Sequence, residues 1–135
     1  AGYDDFHQTS ALFHEMPIKQ MSKFTKRMMQ GIDYWNIAKR RLDNYNYLRR
    51  QLGGRQLCYG EVPMIFPFAT ELGPKLRKYL IAKKVFVAKY WPNVDAWAGE
   101  EAVETWMANY ILPLPIDQRY GEEDMKRIVR LIKNR

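Results

Sequence analysis

The sequence predicts an α+β fold: a small sheet of two to four strands covered by helices and preceded by a long helix. Three observations carry that expectation. Apolar side chains recur at helical spacing all the way from Tyr34 to Leu52. Two short apolar runs, MIFPFA and YILPL, have the length of strands, yet each contains a proline. A second amphipathic stripe closes the chain, opening on acid and ending on base.

The long helix rests on Tyr34, Ile37, Ala38, Tyr45, Leu48 and Leu52, which share one face. Lys39, Arg40, Asp43, Arg49 and Arg50 lie mostly away from it. Asp33 is placed to cap the first turn, and the pair Gly53 and Gly54 ends the last. Upstream, Ser22 caps a turn or two through Met29, with Gly31 as the breaker. Phe6 to Glu15 carries a weaker amphipathic pattern that stops before Pro17. The expected division is an N-terminal arm or short helix over 1–20 and a small domain over 21–135.

Beyond the glycines the helical period is lost, and Gly60 and Pro63 separate Gln56–Tyr59 from the strand candidate Met64–Ala69. Pro67 removes a ladder donor there, so the strand is expected at an edge or broken. Gly73 and Pro74 open a helix that Leu76, Tyr79, Leu80 and Lys83 continue, and Val85–Ala88 reads as a second short strand. Tyr90–Trp97, YWPNVDAW, reads as an aromatic loop that packs or binds something. Glu100–Asn109 reads as a helix with Ala102, Val103 and Trp106 on one side, and Tyr110–Leu114 as an edge or terminal strand because of Pro113. In the final helix Glu122, Glu123 and Asp124 complement the dipole at one end and Lys133 and Arg135 at the other, around the stripe Met125, Ile128, Val129 and Ile132.

Composition bounds the function. With 135 residues, 47% hydrophobic and 14% aromatic, the chain is expected to bury one core and to fold rather than stay disordered. The net charge of +7 invites a nucleic-acid reading, but KFTKR, AKRR, LRR, KLRK, AKK and KRIVR are spread over nearly every helix. Solvated helix faces are the plainer explanation, with an anionic ligand or acidic partner between the two. No apolar run approaches the roughly 18 residues of a membrane span, and the first residues lack a signal-peptide pattern, so a cytoplasmic protein is expected.

Catalytic motifs are scarce. The chain has no GxSxG, no HExxH and no Walker-type glycine loop. Its single cysteine, Cys58, excludes an intramolecular disulfide and, with His7 and His14, makes a poor zinc set, so no metal is expected. Cys58 is expected to pack rather than react, and the two histidines to serve surface or packing roles.

What stands out is an ordered series of segments. MSKFTKRMMQGIDYWNIAKRRLDNYNYLRRQLGG leads a short helix into a long one bearing Arg41, Asn44 and Tyr45 in an R-x-x-N-Y pattern. MIFPFATELGPKLRKYLIAKKVFVAKYWP then runs strand, helix, strand and aromatic-proline loop. ILPLPIDQRYGEEDMKRIVRLI supplies an apolar strand, an L-P-L-P turn and an acid-first helix. In this order, over about 21–132, they resemble the C-terminal domain of the DegT/DnrJ/StrS family of sugar aminotransferases.

The resemblance implies a fold-type-I enzyme, usually homodimeric, that uses pyridoxal phosphate to move an amino group onto a nucleotide-linked keto sugar. It also implies that the cofactor lysine belongs to a large domain preceding this segment, so this chain is expected to bind no cofactor and to be inert alone. Tyr90, Trp91 and Pro92 correspond to the family's aromatic-proline loop, with Tyr90 where a histidine often stands. Stacking of Tyr90 or Trp91 on a base or sugar is one reading, core packing the other. Arg119 either pairs an anionic group of the substrate or forms a salt bridge to the acidic start of the final helix. Arg41, Asn44 and Tyr45 are expected to fix the long helix against the sheet. The competing functional reading is a free-standing interaction domain that holds an acidic partner or a nucleotide.

Overall fold

Each element forms where local chemistry starts and stops it. The computed structural model describes residues 8–13 and 16–134, so His7 and His14 lie outside the described residues. The chain divides into two units between Ile32 and Asp33. In the first, a short helical stretch at 8–12 precedes α1, Lys23–Gln30. The Ser22 hydroxyl accepts the Thr25 N–H at 3.0 Å, and the Gly31 N–H closes the far end on the Met28 carbonyl.

The second unit begins with α2, Tyr34–Leu52, over the predicted range. Asp33 caps it by accepting the Asn36 N–H at 3.0 Å. Gly53 and Gly54 leave it at φ +79° and +127°, a region closed to most side chains. After a loop come β1, Ile65–Ala69; α3, Gly73–Ala82; the single turn α4, Val94–Trp97; α5, Val103–Tyr110; β2, Ile111–Pro115; and α6, Glu122–Lys133. The fold is α+β, with a two-stranded antiparallel sheet of β1 and β2.

The core lies on one face of that sheet. Phe66 on β1 and Leu112 and Leu114 on β2 point the same way because strand side chains alternate. They meet Tyr45 and Leu48 of α2, Leu76 and Leu80 of α3, Ile116, and Met125, Ile128 and Val129 of α6. The Tyr45 and Phe66 rings stand 5.1 Å apart at 59°. Burying an aliphatic side chain of this kind contributes about 1.5–3 kcal/mol.

The R-x-x-N-Y residues tie α2 to this layer through the backbone, as the sequence suggests. The buried Asn44 amide donates to the Ile116 carbonyl at 3.1 Å and the Tyr120 carbonyl at 3.0 Å. Arg41 reaches the Pro63 and Met64 carbonyls at 3.3 and 3.2 Å, and the Tyr45 hydroxyl donates to the Arg55 carbonyl at 2.9 Å.

Three expectations need correction. Val85–Ala88 is not a strand: Val85 and Val87 enter the core and Phe86 faces solvent, so the alternation is real, but no ladder partner exists. The segment passes Pro115, and β2 has no N–H at Pro113 or Pro115 to offer a third strand. Tyr90–Trp97 is not loop throughout, since its last four residues form α4. The helix expected over Glu100–Asn109 is α5, which begins only at Val103; its side carrying Val103 and Trp106 faces solvent, at 68% and 48% exposure, while Thr105 and Ala108 turn inward. Among the described residues no helix is long and apolar enough to cross a membrane.

Candidate functional site

The face of the sheet opposite the core forms one wall of a groove. Alternation sends Ile65, Ile111 and Pro113 to that side, and α4 and α5 stand against it. The groove holds about 620 Å³ and is completed by Tyr90, Trp91, Val94, Trp97, Ala98, Glu104, Met107 and Ala108. That volume is within the range of small-molecule sites.

The position of α5 follows from close packing on α3. A Cβ at Gly73 would lie 2.3 Å from the Asn109 carbonyl oxygen and 2.8 Å from the Tyr110 Cα, so only glycine allows the two helices this approach. Arg77 of α3 donates to the Ala108 carbonyl at 3.1 Å, and desolvation lowers its pKa. A cation at this carboxyl end of α5 complements the helix dipole.

The aromatic loop is stapled in place. Lys89, just before Tyr90, pairs with Asp95 just after Val94, and the Asn109 amide donates to the other Asp95 oxygen at 3.0 Å. These two donors, Lys89 first, hold the Asp95 carboxyl below its ordinary pKa. The Thr105 hydroxyl donates to the Gly99 carbonyl at 2.7 Å and secures the loop's exit. Within the staple Trp91 adopts φ +49°, and its carbonyl accepts the Val94 N–H at 3.0 Å. A bulky residue in that region costs on the order of 1–3 kcal/mol and persists only where its surroundings hold it. Tyr90 and Trp91 meet edge to face, with centroids 5.8 Å apart at 63°.

The residues singled out from sequence separate here. Tyr90 and Trp91 both line the groove, and Trp91 is 70% exposed rather than packed in the core. Arg119 is not among the lining residues. Its guanidinium grips Asp117 with two hydrogen bonds, at 2.8 and 3.0 Å, so its salt bridge goes to Asp117 and not to the start of α6. That contact raises the Arg119 pKa and lowers that of Asp117. Cys58 is exposed rather than packed, and its N–H donates to Glu61 at 2.6 Å. Among the described residues no group of His, Cys, Asp or Glu could hold a metal ion.

Trp97 closes the aromatic segment expected to pack or bind something, whereas Glu104 and Met107 were not anticipated. A signal existed: Glu104, Met107, Ala108 and Ile111 are spaced i, i+3, i+4, i+7 and form one side of α5 running into β2. A charged residue opening the series hides it from a search for apolar stripes. Compared with known proteins, the chain matches no family model, no curated protein and no solved structure.

Proposed function

We propose that this chain is the C-terminal small domain of a pyridoxal-phosphate-dependent aminotransferase of the DegT/DnrJ/StrS type. It serves nucleotide-linked keto sugars only together with a lysine-bearing large domain and, through that domain, a homodimer partner. The observation that carries the reading is the set of contacts made by Arg41, Asn44 and Tyr45. From the first resembling segment Arg41 reaches Pro63 and Met64 where the second begins, Asn44 reaches Ile116, Asp117 and Tyr120 in the third, and the Tyr45 ring packs on Phe66 of the second. Segments matched separately in sequence thus share one hydrogen-bonded framework.

The surface suits a domain with a neighbour. Phe86, Val103 and Trp106 are exposed, and the Trp106 and Tyr110 rings stack with centroids 6.0 Å apart. The stacked pair of exposed Trp106 and half-buried Tyr110 suits an interaction face. The rival reading, a basic surface for an acidic partner, is less well supported, because Lys39, Arg55, Lys89, Arg119 and Lys126 are all engaged by carboxylates of this chain.

Pyridoxal phosphate does not fit the groove. No lysine lines it for a Schiff base and no cation for a phosphate, and its one charged group is Glu104. No step of amino transfer is therefore assigned to these residues. Tyr90 and Trp91 offer an aromatic wall, but Glu104 on the same groove disfavours the anionic part of a nucleotide sugar there. Arg119 fits an anion-binding role poorly while Asp117 occupies its guanidinium.

Absorbance tests the proposal. The purified chain mixed with pyridoxal phosphate should give only the spectrum of free cofactor. Co-expressed with a lysine-bearing large domain of this family, it should join a dimer that shows lysine-bound cofactor. A visible band on the chain alone, removed by substituting one of its own lysines, would overturn it.

A further inference from the structure

We propose that the groove between the sheet and α5 binds a small quaternary ammonium ion, seated in the corner made by Tyr90 and Trp91 and paired with the Glu104 carboxylate. The inference uses the groove alone and does not rest on the aminotransferase reading.

Electrostatics select the charge of the ligand. Among the described residues Glu104 is the only charged residue lining the groove, and no arginine, lysine or histidine joins it. An anion there would meet a carboxylate and no donor. A neutral apolar ligand would gain nothing from Glu104, whose exposed side chain stays hydrated. A cation answers both conditions. The Lys89 ammonium is turned onto Asp95 and the Arg77 guanidinium onto the Ala108 carbonyl, and neither side chain lines the groove.

The walls select the kind of cation. A primary ammonium needs several hydrogen-bond acceptors, whereas the groove offers one carboxylate among aromatic and aliphatic groups. A methylated ammonium needs no such donors and spreads its charge over apolar surface that fits against ring faces. Tyr90 and Trp91 meet at 63° and so form two sides of a cage, with Trp97 and Met107 also on the lining. The rings are already in place before any ligand arrives. The Lys89, Asp95 and Asn109 staple fixes the loop, and Trp91 is held at φ +49°. Preorganised walls reduce the ordering cost of binding.

Choline is a suitable probe, and 3,3-dimethylbutan-1-ol, its uncharged isostere, is the control. Both are titrated into the whole chain at constant ionic strength while tryptophan emission is followed. Choline should give a saturable change, with the isostere weaker by about tenfold. Glu104→Gln and Trp97→Leu should each weaken choline binding by about fivefold or more while leaving the far-ultraviolet circular dichroism unchanged. Equal binding of the isostere, no saturable response to choline, or full affinity in the folded Glu104→Gln variant would each overturn the assignment. The aminotransferase reading is decided by cofactor absorbance, so the two proposals fail separately.

Discussion

Pro67 stands directly opposite Pro113 in the β1–β2 ladder. In an antiparallel pair, opposed residues alternate between exchanging both hydrogen bonds and exchanging none. Two prolines can face each other only at the second kind. The Thr70 N–H donates to the Tyr110 carbonyl at 3.0 Å, which puts Phe68 with Leu112 and Phe66 with Leu114 in the bonded set and the prolines in the other. Their missing N–H groups therefore fall on the two outer edges of the sheet.

That arrangement predicts a role in preventing association. Pro67→Val, at an exposed position, restores an outward donor on β1 without opening the core. Stability should change by less than about 1 kcal/mol. Sedimentation or light scattering should instead reveal concentration-dependent self-association through the freed edge of β1. A variant that stays monomeric at every concentration where the parent does would remove the edge-blocking role.

Asn44 is expected to matter more than its size suggests. Replacement by leucine keeps apolar volume but leaves the Ile116 and Tyr120 carbonyls without their donor. At about 1–3 kcal/mol for each buried group left unpaired, the loss should be about 2–4 kcal/mol, read as a lower urea midpoint at unchanged slope. Tyr45→Phe, which removes one hydrogen bond and keeps the ring on Phe66, should cost about 1 kcal/mol.

The loop staple gives a pH dependence of definite sign. Asp95 has a folded pKa below the ordinary 3.8, so its contribution is complete above 3.8 and is lost as pH falls through the lower folded value. Denaturation midpoints of the parent and of Asp95→Asn should therefore differ near neutral pH and converge in acid. Exchanging the charges, with Lys89→Asp and Asp95→Lys together, should recover part of the difference. A gap that persisted at the acid end would assign the effect to packing rather than to charge.

Local chemistry made some elements legible and left others hidden. The bounds of α2 could be read because Asp33 and Gly53 act on their nearest neighbours, and a helix carries its own hydrogen bonds. Val85–Ala88 misled because alternation reports which side chains are buried, whereas a strand also needs a partner with free donors. Prolines at positions 113 and 115 do not supply them. Which side of α5 is buried was not legible for a related reason. Val103 and Trp106 are apolar, but the helix is turned by Gly73 against Asn109, a contact between residues 36 positions apart.

The candidate site was half legible. Tyr90 and Trp91 drew notice as aromatics beside a proline, and both line the groove. Arg119 drew notice as a partner either for an anionic ligand or for the acidic start of the final helix, yet Asp117, two residues away, engages it. Glu104 showed in the sequence only as the charged start of a helical series. Its significance lies in being the only charge in an apolar groove, which is a property of its neighbours in space.

By itself, then, the sequence determined the fold class, the helix caps, the long helix and the motif by which Arg41, Asn44 and Tyr45 fasten it. These depend on interactions within a few residues or on a periodic face that has only one way to be buried. Only the tertiary structure decided that the sheet stops at two strands, which side of α5 is buried, and that Tyr90, Trp91, Trp97 and Glu104 share a groove. Those outcomes depend on close approach and on competition for hydrogen-bond donors between distant segments, and a linear pattern does not encode distance.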